Sequence, residues 1–382
     1  MLITSSLVSN NYFDQQREYI IQTYRDLHDL AEPSWQEEKT SRYLQERLQQ
    51  AGFTVLTFAG HYGLVAEIQG ETTDVVALRA DMDALVQEVD GIVKANHSCG
   101  HDAHSTMVLH TAMALKDCQI RPHKTIRFIF QPAEEKGEGA LQMIRDGAMD
   151  GVTMLLGVHL RPSMEVPYGK AAPVIVHGAS TSIRGVILGL QAHAARPENG
   201  KNPLEAAALI IQALQGIRLQ ARCPFSVKIT QLQGGGETSN VIPERAEFTL
   251  DLRAQTNEGM VELKEKTAHV LHTVATLTDT NVEWKYDGYV PAATVNEQMV
   301  NLAKKAISKV LGPENMADQC MTQGGEDFHF YPLEKNGLVS TMIGLGCDLK
   351  PGLHHPHMSF VLDALVYGTQ ILSSAVLEAA QA

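Results

Sequence analysis

Residues 75–83 read Val-Val-Ala-Leu-Arg-Ala-Asp-Met-Asp. The run Val75–Ala80 reads as a strand, and it passes without a break into the acids Asp81 and Asp83. The same design recurs twice downstream. Thr125–Phe130 reads as a strand leading into Gln131-Pro132-Ala133-Glu134-Glu135, and the short apolar run Met154–Val158 leads into His159. In open α/β sheets ligands bind outside the carboxyl ends of the strands, so groups far apart in sequence can converge at that rim.

Helical segments alternate with these strands. Residues 13–31 and 35–50 read as helices, the second stopping at Gly52. Phe53–Phe58 and Gly63–Ile68 read as strands, and 105–116 and Ala140–Met149 as helices. The alternation predicts an α/β class, with a sheet covered by helices on both faces. Near residue 175 the rhythm changes. Ser182–Leu190, Pro203–Arg218, Ser226–Leu232, Ala246–Arg253, Val261–Ala275 and Val282–Tyr286 follow the order β-α-β-β-α-β, a ferredoxin-like pattern. The first rhythm then resumes with a helix at 297–310, a strand at 338–345 and a helix at 362–380. The expectation is a discontinuous larger domain, residues 1–177 and 290–382, interrupted by an inserted domain, residues 178–289.

Composition narrows the function classes. A chain of 382 residues is long enough for two domains, and 44% apolar with 20% charged residues is the balance of a globular protein. Thirty-one Lys and Arg against 44 Asp and Glu leave a net charge of −13, which argues against nucleic acid or an anionic membrane as partner. No stretch approaches the roughly 18–20 apolar residues of a membrane span. Met1–Asn11 lacks the basic start and apolar core of a signal peptide. The cysteines, Cys99, Cys118, Cys223, Cys320 and Cys347, are odd in number and scattered, so no disulfide framework is expected and a cytoplasmic location fits best.

Residues 97–104, His-Ser-Cys-Gly-His-Asp-Ala-His, fall in the loop expected between a strand end and the next helix, within reach of the same rim. Each polar group there has an ordinary explanation. Asp81 and Asp83 could cap a helix, Glu134-Glu135-Lys136 could be a solvated charge run, His159 a satisfied core histidine, and Leu353-His354-His355-Pro356-His357 a surface loop. Their recurrence at equivalent strand ends argues against coincidence. Two chemistries then compete. Cys99 could be a thiolate nucleophile with His101 or His104 as its base. The surrounding carboxylates would raise that thiol's pKa, whereas a divalent cation binds carboxylate, imidazole and thiolate together and deprotonates the thiol. Gly100 lets the chain turn so that Cys99 and His101 can face one ion. A metal site is therefore the favoured reading.

The chain resembles the M20 metallopeptidase family, in its amidohydrolase branch of the hippurate hydrolase and IAA-amino acid hydrolase type. The resemblance is carried by Leu78-Arg79-Ala80-Asp81-Met82-Asp83-Ala84-Leu85, Cys99-Gly100-His101-Asp102-Ala103-His104 and Phe130-Gln131-Pro132-Ala133-Glu134-Glu135. Gly157-Val158-His159, His193-Ala194-Ala195-Arg196-Pro197, Asn240-Val241-Ile242-Pro243, Gly325-Glu326-Asp327-Phe328 and Leu353-His354-His355-Pro356 extend it along the chain. It implies two divalent metal ions per subunit, Mn2+ or Zn2+ with Co2+ or Ni2+ as further candidates, held by Cys99, His101, Glu135, His159 and His354. Cys99 would bridge the two ions, Glu134 would be the general base, and His193 would approach the scissile carbonyl as an oxyanion or positioning group. Asp81 and Asp83 would support the ligands from behind, and Asp102 and His104 would be supporting residues. The larger domain would be catalytic and the inserted one a lid or dimerisation domain, consistent with a homodimer. The substrate class implied is a small-molecule amide, an N-acyl amino acid or related conjugate. The sequence departs from its relatives between Asp83 and Cys99, where the segment is short and Val86 stands in place of a proline. The rival functions are a di- or tripeptidase of the same architecture, a non-catalytic metal-binding protein, and a thiol-dependent hydrolase.

Overall fold

In the computed structural model, which describes residues 10–381, the chain begins with α1 (Asn10–Asp29), α2 (Glu38–Gln50), β1 (Val55–Thr57), β2 (Leu64–Ile68) and β3 (Val75–Asp81). The stretch read against a signal peptide lies, up to residue 9, outside the described residues. Next come β4 (Leu85–Val89), β5 (Ile92–Asn96), α3 (His101–Asp117), β6 (Thr125–Gln131), α4 (Gly139–Arg145), β7 (Val152–Pro162), β8 (Ala171–Ala172) and β9 (Ile175–His177). The middle of the chain forms β10 (Ala179–Leu188), β11 (Ala192–His193), α5 (Pro203–Leu214), β12 (Phe225–Gly234), β13 (Val241–Ile242), β14 (Arg245–Ala254), α6 (Asn257–Thr278) and β15 (Asn281–Val290). It closes with α7 (Glu297–Leu311), β16 (Cys320–Thr322), α8 (Phe330–Glu334), β17 (Val339–Leu349) and α9 (Asp363–Gln381). Two compact units result. One comprises the chain up to Val176, Thr294–Met321 and Asp327 onward; the other comprises His177–Ala293 with Thr322–Glu326.

The first unit is built on a seven-stranded sheet in the order β1-β2-β6-β3-β7-β17-β8. Its inner strands β6, β3, β7 and β17 run parallel, with antiparallel strands toward both edges. All seven residues of β3 are buried, which is the signature of a strand covered on both faces. Val76, Leu78, Phe128, Leu156 and Ile343 of the sheet share one core with Met107 and Val108 of α3 and Ile371 and Leu372 of α9. Helix α3 is almost wholly interior, with 14 of its 17 residues buried.

The second unit is a four-stranded antiparallel sheet, β12-β14-β10-β15, with α5 and α6 packed on it, so its main elements follow the βαββαβ order. Local chemistry sets its helix starts. The side chain of Asn202 accepts from Leu204 N ahead of α5, whose first residue is Pro203, and Thr256 accepts from Gly259 N at the start of α6.

Three local readings change. Helix α3 starts at His101, not at 105, so half of the 97–104 cluster forms a first helical turn rather than a loop. Strand β7 runs on to Pro162, which puts His159 within the strand rather than beyond its end. The short segment after Asp83 folds as the β4–β5 hairpin, closed by Asp90 and Gly91 at φ 53° and 81°. Positive φ at both turn residues is what a type I′ hairpin turn needs, and Asp-Gly supplies it.

Candidate metal centre

Register brings the polar strand ends level. Asp81 pairs with Gln131 across β3 and β6, and Arg79 pairs with Gly157 across β3 and β7, so His159 lies near Asp81 at the carboxyl rim. Gly100 delivers Cys99 and His101 to the same place. Its φ is +89°, which favours glycine, and a Cβ there would press on Leu160 Cδ1 at 2.9 Å.

Hydrogen bonds settle which imidazole atoms face inward. His101 donates from Nδ1 to Asp83 Oδ1 at 3.1 Å, leaving Nε2 directed at Glu134 Oε2 and Glu135 Oε1, each 3.8 Å away. His159 donates from Nδ1 to the Leu160 carbonyl at 2.7 Å, leaving Nε2 3.6 Å from Cys99 Sγ. Such partners fix the tautomer and orientation of a ligating imidazole. His104 is used at both nitrogens. It donates to Asp81 Oδ1 at 2.7 Å and accepts from Leu160 N at 2.9 Å, so it is structural. Asp102 likewise is taken up by His28 Nδ1 at 2.7 Å and by Ala103 N.

The potential ligand atoms form overlapping groups. Those of Cys99, His101 and His159 lie within 4.8 Å of one another, as do those of Cys99, Glu135 and His354, and those of His101, Glu134 and Glu135. Cys99 belongs to the first two. A donor set of one thiolate, imidazoles and carboxylates suits a divalent cation. The structure carries a sharper indication of fit: His101 Nε2 and Glu135 Oε1 are buried with no hydrogen-bond partner, an expensive state that bound cations would relieve. His354, with its side chain 55% exposed, places Nε2 3.6 Å from Glu135 Oε1.

The electrostatics match. Burial and the neighbouring Glu135 carboxylate push the Cys99 thiol well above its usual range, which weakens the reading of Cys99 as a free thiolate nucleophile. Burial, offset only partly by His101, also raises Glu135. Burial opposes ionisation of Asp81, yet His101 and Arg79 beside it hold its carboxyl well below the carboxylate range. Burial keeps His159 neutral, with its pKa well below the usual value, which is the form a metal ligand requires.

Behind these groups Asp81 and Asp83 stand where support was expected, but sequence reasoning missed the partners Ser34, Glu37, Arg79 and Asp327. Asp83 also accepts from Glu134 N and Glu135 N, both at 3.1 Å, and from Ser34 Oγ at 2.6 Å. Glu37, fully buried, accepts from Ala133 N at 2.8 Å, where Ala133 turns through φ +54°. Three successive backbone N–H groups, 133 to 135, are thus gripped by two carboxylates. Farther back, Arg79 pairs with Asp81 at 2.6 Å and Asp327 at 3.0 Å, and Gln131 and Ala140 N also bond Asp327. The available signal was Arg79 itself, a charge inside an apolar strand that demands buried partners. His193 lies in the other unit, exposed on β11, where its Nδ1 accepts from Ala195 N at 3.0 Å.

Comparison with known proteins places this geometry in a family. Residues 77–378 match the model of peptidase family M20/M25/M40. N-acetylcysteine deacetylase of Bacillus subtilis (strain 168) is 32% identical over 92% of this chain and 94% of its own length. IAA-amino acid hydrolase ILR1-like 2 of Arabidopsis thaliana is 30% identical over 94% of this chain and 85% of its own. Among solved structures, the YXEP protein of Bacillus subtilis, described as a dinuclear metal binding peptidase from the M20 family, superposes with a TM-score of 0.82 at 28% identity, covering 95% of this chain and 98% of that one. The chain belongs to peptidase family M20/M25/M40.

Proposed function

We propose that this protein is a divalent-metal-dependent amidohydrolase that cleaves the amide bond of N-acyl amino acids or related conjugates, a carbon–nitrogen bond outside linear peptides. The observation that carries the reading is the sharing of Cys99 between two ligand groups, with the carboxylate of Glu134 beside them in a third group with His101 and Glu135. The deacetylase and IAA-amino acid hydrolase relatives supply the substrate class.

Cys99, His101 and His159 would hold one ion and Cys99, Glu135 and His354 the other, Mn2+ or Zn2+ being favoured and Co2+ or Ni2+ acceptable to the same donors. When bound, the cations supply Lewis-acid polarisation of the carbonyl and acidify a water. The chain's own work is proton management and positioning. Glu134, placed by the N–H groups that Asp83 grips, takes the water's proton and returns it to the departing amine. Its Oε1 lies 3.4 Å from Asp327 N, which restrains the carboxylate. His193, supplied by the inserted unit, is assigned to the negative charge that develops on the carbonyl oxygen. A cytoplasmic location agrees with the scattered placement of Cys99, Cys118, Cys223, Cys320 and Cys347. A homodimer through the inserted unit agrees with the position of β12 at its sheet edge.

Glu134→Gln tests the reading. It should lower kcat by about 10²–10⁴-fold while leaving bound metal unchanged; near-native hydrolysis at saturating metal would remove Glu134 from its role. The peptidase description of the YXEP protein makes dipeptides the comparator. N-acetyl, N-benzoyl and indole-acyl amino acids should show the higher kcat/KM; a preference for dipeptides would reverse the substrate assignment.

A further inference from the structure

We propose that the β4–β5 hairpin is a latch for one of the two metal positions: its side chains hold the His354 loop, and so set affinity at the Cys99–Glu135–His354 position while leaving the Cys99–His101–His159 position unaffected. The proposal rests on the metal reading above.

His354 differs from the other candidate ligands in how it is placed. Cys99, His101 and His159 are carried to the rim by the start of α3 and by β7, and Asp83 and the Leu160 carbonyl orient the two imidazoles. His354 lies on a loop beyond β17, more than half exposed, with φ +63°, a conformation that a residue with a Cβ adopts only when its surroundings hold it. The Lys350–Ser359 backbone pair and the packing of Leu353 and Met358 on the core close the base of this loop, and the hairpin with the residues just after it holds its tip. His354 N donates to the Ser98 carbonyl at 2.7 Å. Gln87 Nε2 donates to the His354 carbonyl at 3.2 Å, and Asn96 Nδ2 donates to the Pro356 carbonyl at 3.0 Å. Asn96 also donates to Gln87 Oε1 at 2.7 Å, which fixes the orientation of the second amide. At the hairpin turn, Asp90 lies 3.1 Å from His357 Nε2.

The hairpin has little other occupation. Val86, Ile92 and Val93 are 58%, 64% and 69% exposed, and Val89 is the buried apolar residue of its two strands, so the hairpin adds little to the main core. Removing the amides of Gln87 and Asn96 should therefore loosen the 354–357 loop without disturbing the sheet.

The test is calorimetric titration of chelator-stripped protein with Zn2+, comparing the wild type with the Gln87→Ala/Asn96→Ala variant and with His354→Ala. The wild type should take up two equivalents. The double variant should bind the first equivalent as the wild type does and the second about 10–100-fold more weakly, approaching His354→Ala. Two equivalents bound by the variant with unchanged affinity, or an equal loss at both positions, would overturn the latch and leave the metal reading intact. Fewer than two equivalents in the wild type would overturn the metal reading and the latch with it. Thermal unfolding of the metal-free forms checks folding; if the double variant unfolds, Gln87→Ala alone decides by the same criteria.

Discussion

The carboxylate of Asp83 lies 3.1 Å from His101 Nδ1, and the same side chain accepts from the backbone of Glu134 and Glu135. One buried acid thus orients an imidazole and a turn bearing two carboxylates. Asp83→Ala should weaken metal retention by about 10–100-fold and turnover with it. Metal content after dialysis against a weak chelator, measured with kcat, checks this. Full metal retention would show that the three contacts are dispensable to the centre.

Glu37 predicts a pH effect of definite sign. Burial first, and Asp83 second, raise its pKa from the ordinary carboxyl value to about 7. The folded chain therefore binds a proton more tightly than the unfolded one, and stability falls as pH climbs from the unfolded value, about 4.5, toward 7. Glu37→Gln keeps an oxygen for Ala133 N and removes the ionisation. In metal-free protein the variant should gain on the order of 2–3 kcal/mol over wild type at pH 8, relative to their difference at pH 4. Urea denaturation at the two pH values measures it. Glu37→Ala, which leaves the Ala133 N–H without an acceptor, should instead cost about 1–3 kcal/mol.

The buried Arg79 ties two acids together. Arg79→Met leaves the buried Asp81 and Asp327 without their shared guanidinium, and should destabilise the protein by about 3–5 kcal/mol. The urea midpoint should fall accordingly. An unchanged midpoint would mean that the two carboxyls take up protons at little cost.

The architecture was legible because hydrophobic pattern is local. The β3, β6 and β7 runs announce themselves over five or six residues each, and the βαββαβ order follows from consecutive segments. The hairpin escaped notice because Val86, Ile92 and Val93 face solvent, so burial imposes no pattern on them, although Asp90-Gly91 was a turn signal in plain view. At the site, histidines, acids and Cys99 gathered at strand ends drew attention to the rim, and the family resemblance then singled out Cys99, His101, Glu135, His159 and His354 among them. Glu37 has no such mark. It lies 96 residues from Ala133, reads as one acid in a charged helix start, and acquires meaning only when the chain folds. Arg79 could have been noticed, but its partner Asp327 is 248 residues away.

The order in which the chain is made adds a last consequence. Strand β17 lies between β7 and β8 in the sheet, and His354 follows it. Both emerge from the ribosome only after the whole second unit. A nascent chain that has reached β15 already carries Cys99, His101, Glu135 and His159, yet the flank of β7 that will receive β17 is bare and the candidate ligand His354 has still to be made. Maturation therefore has a built-in sequence: the interior of the sheet is completed late, and the candidate metal centre is assembled only with it.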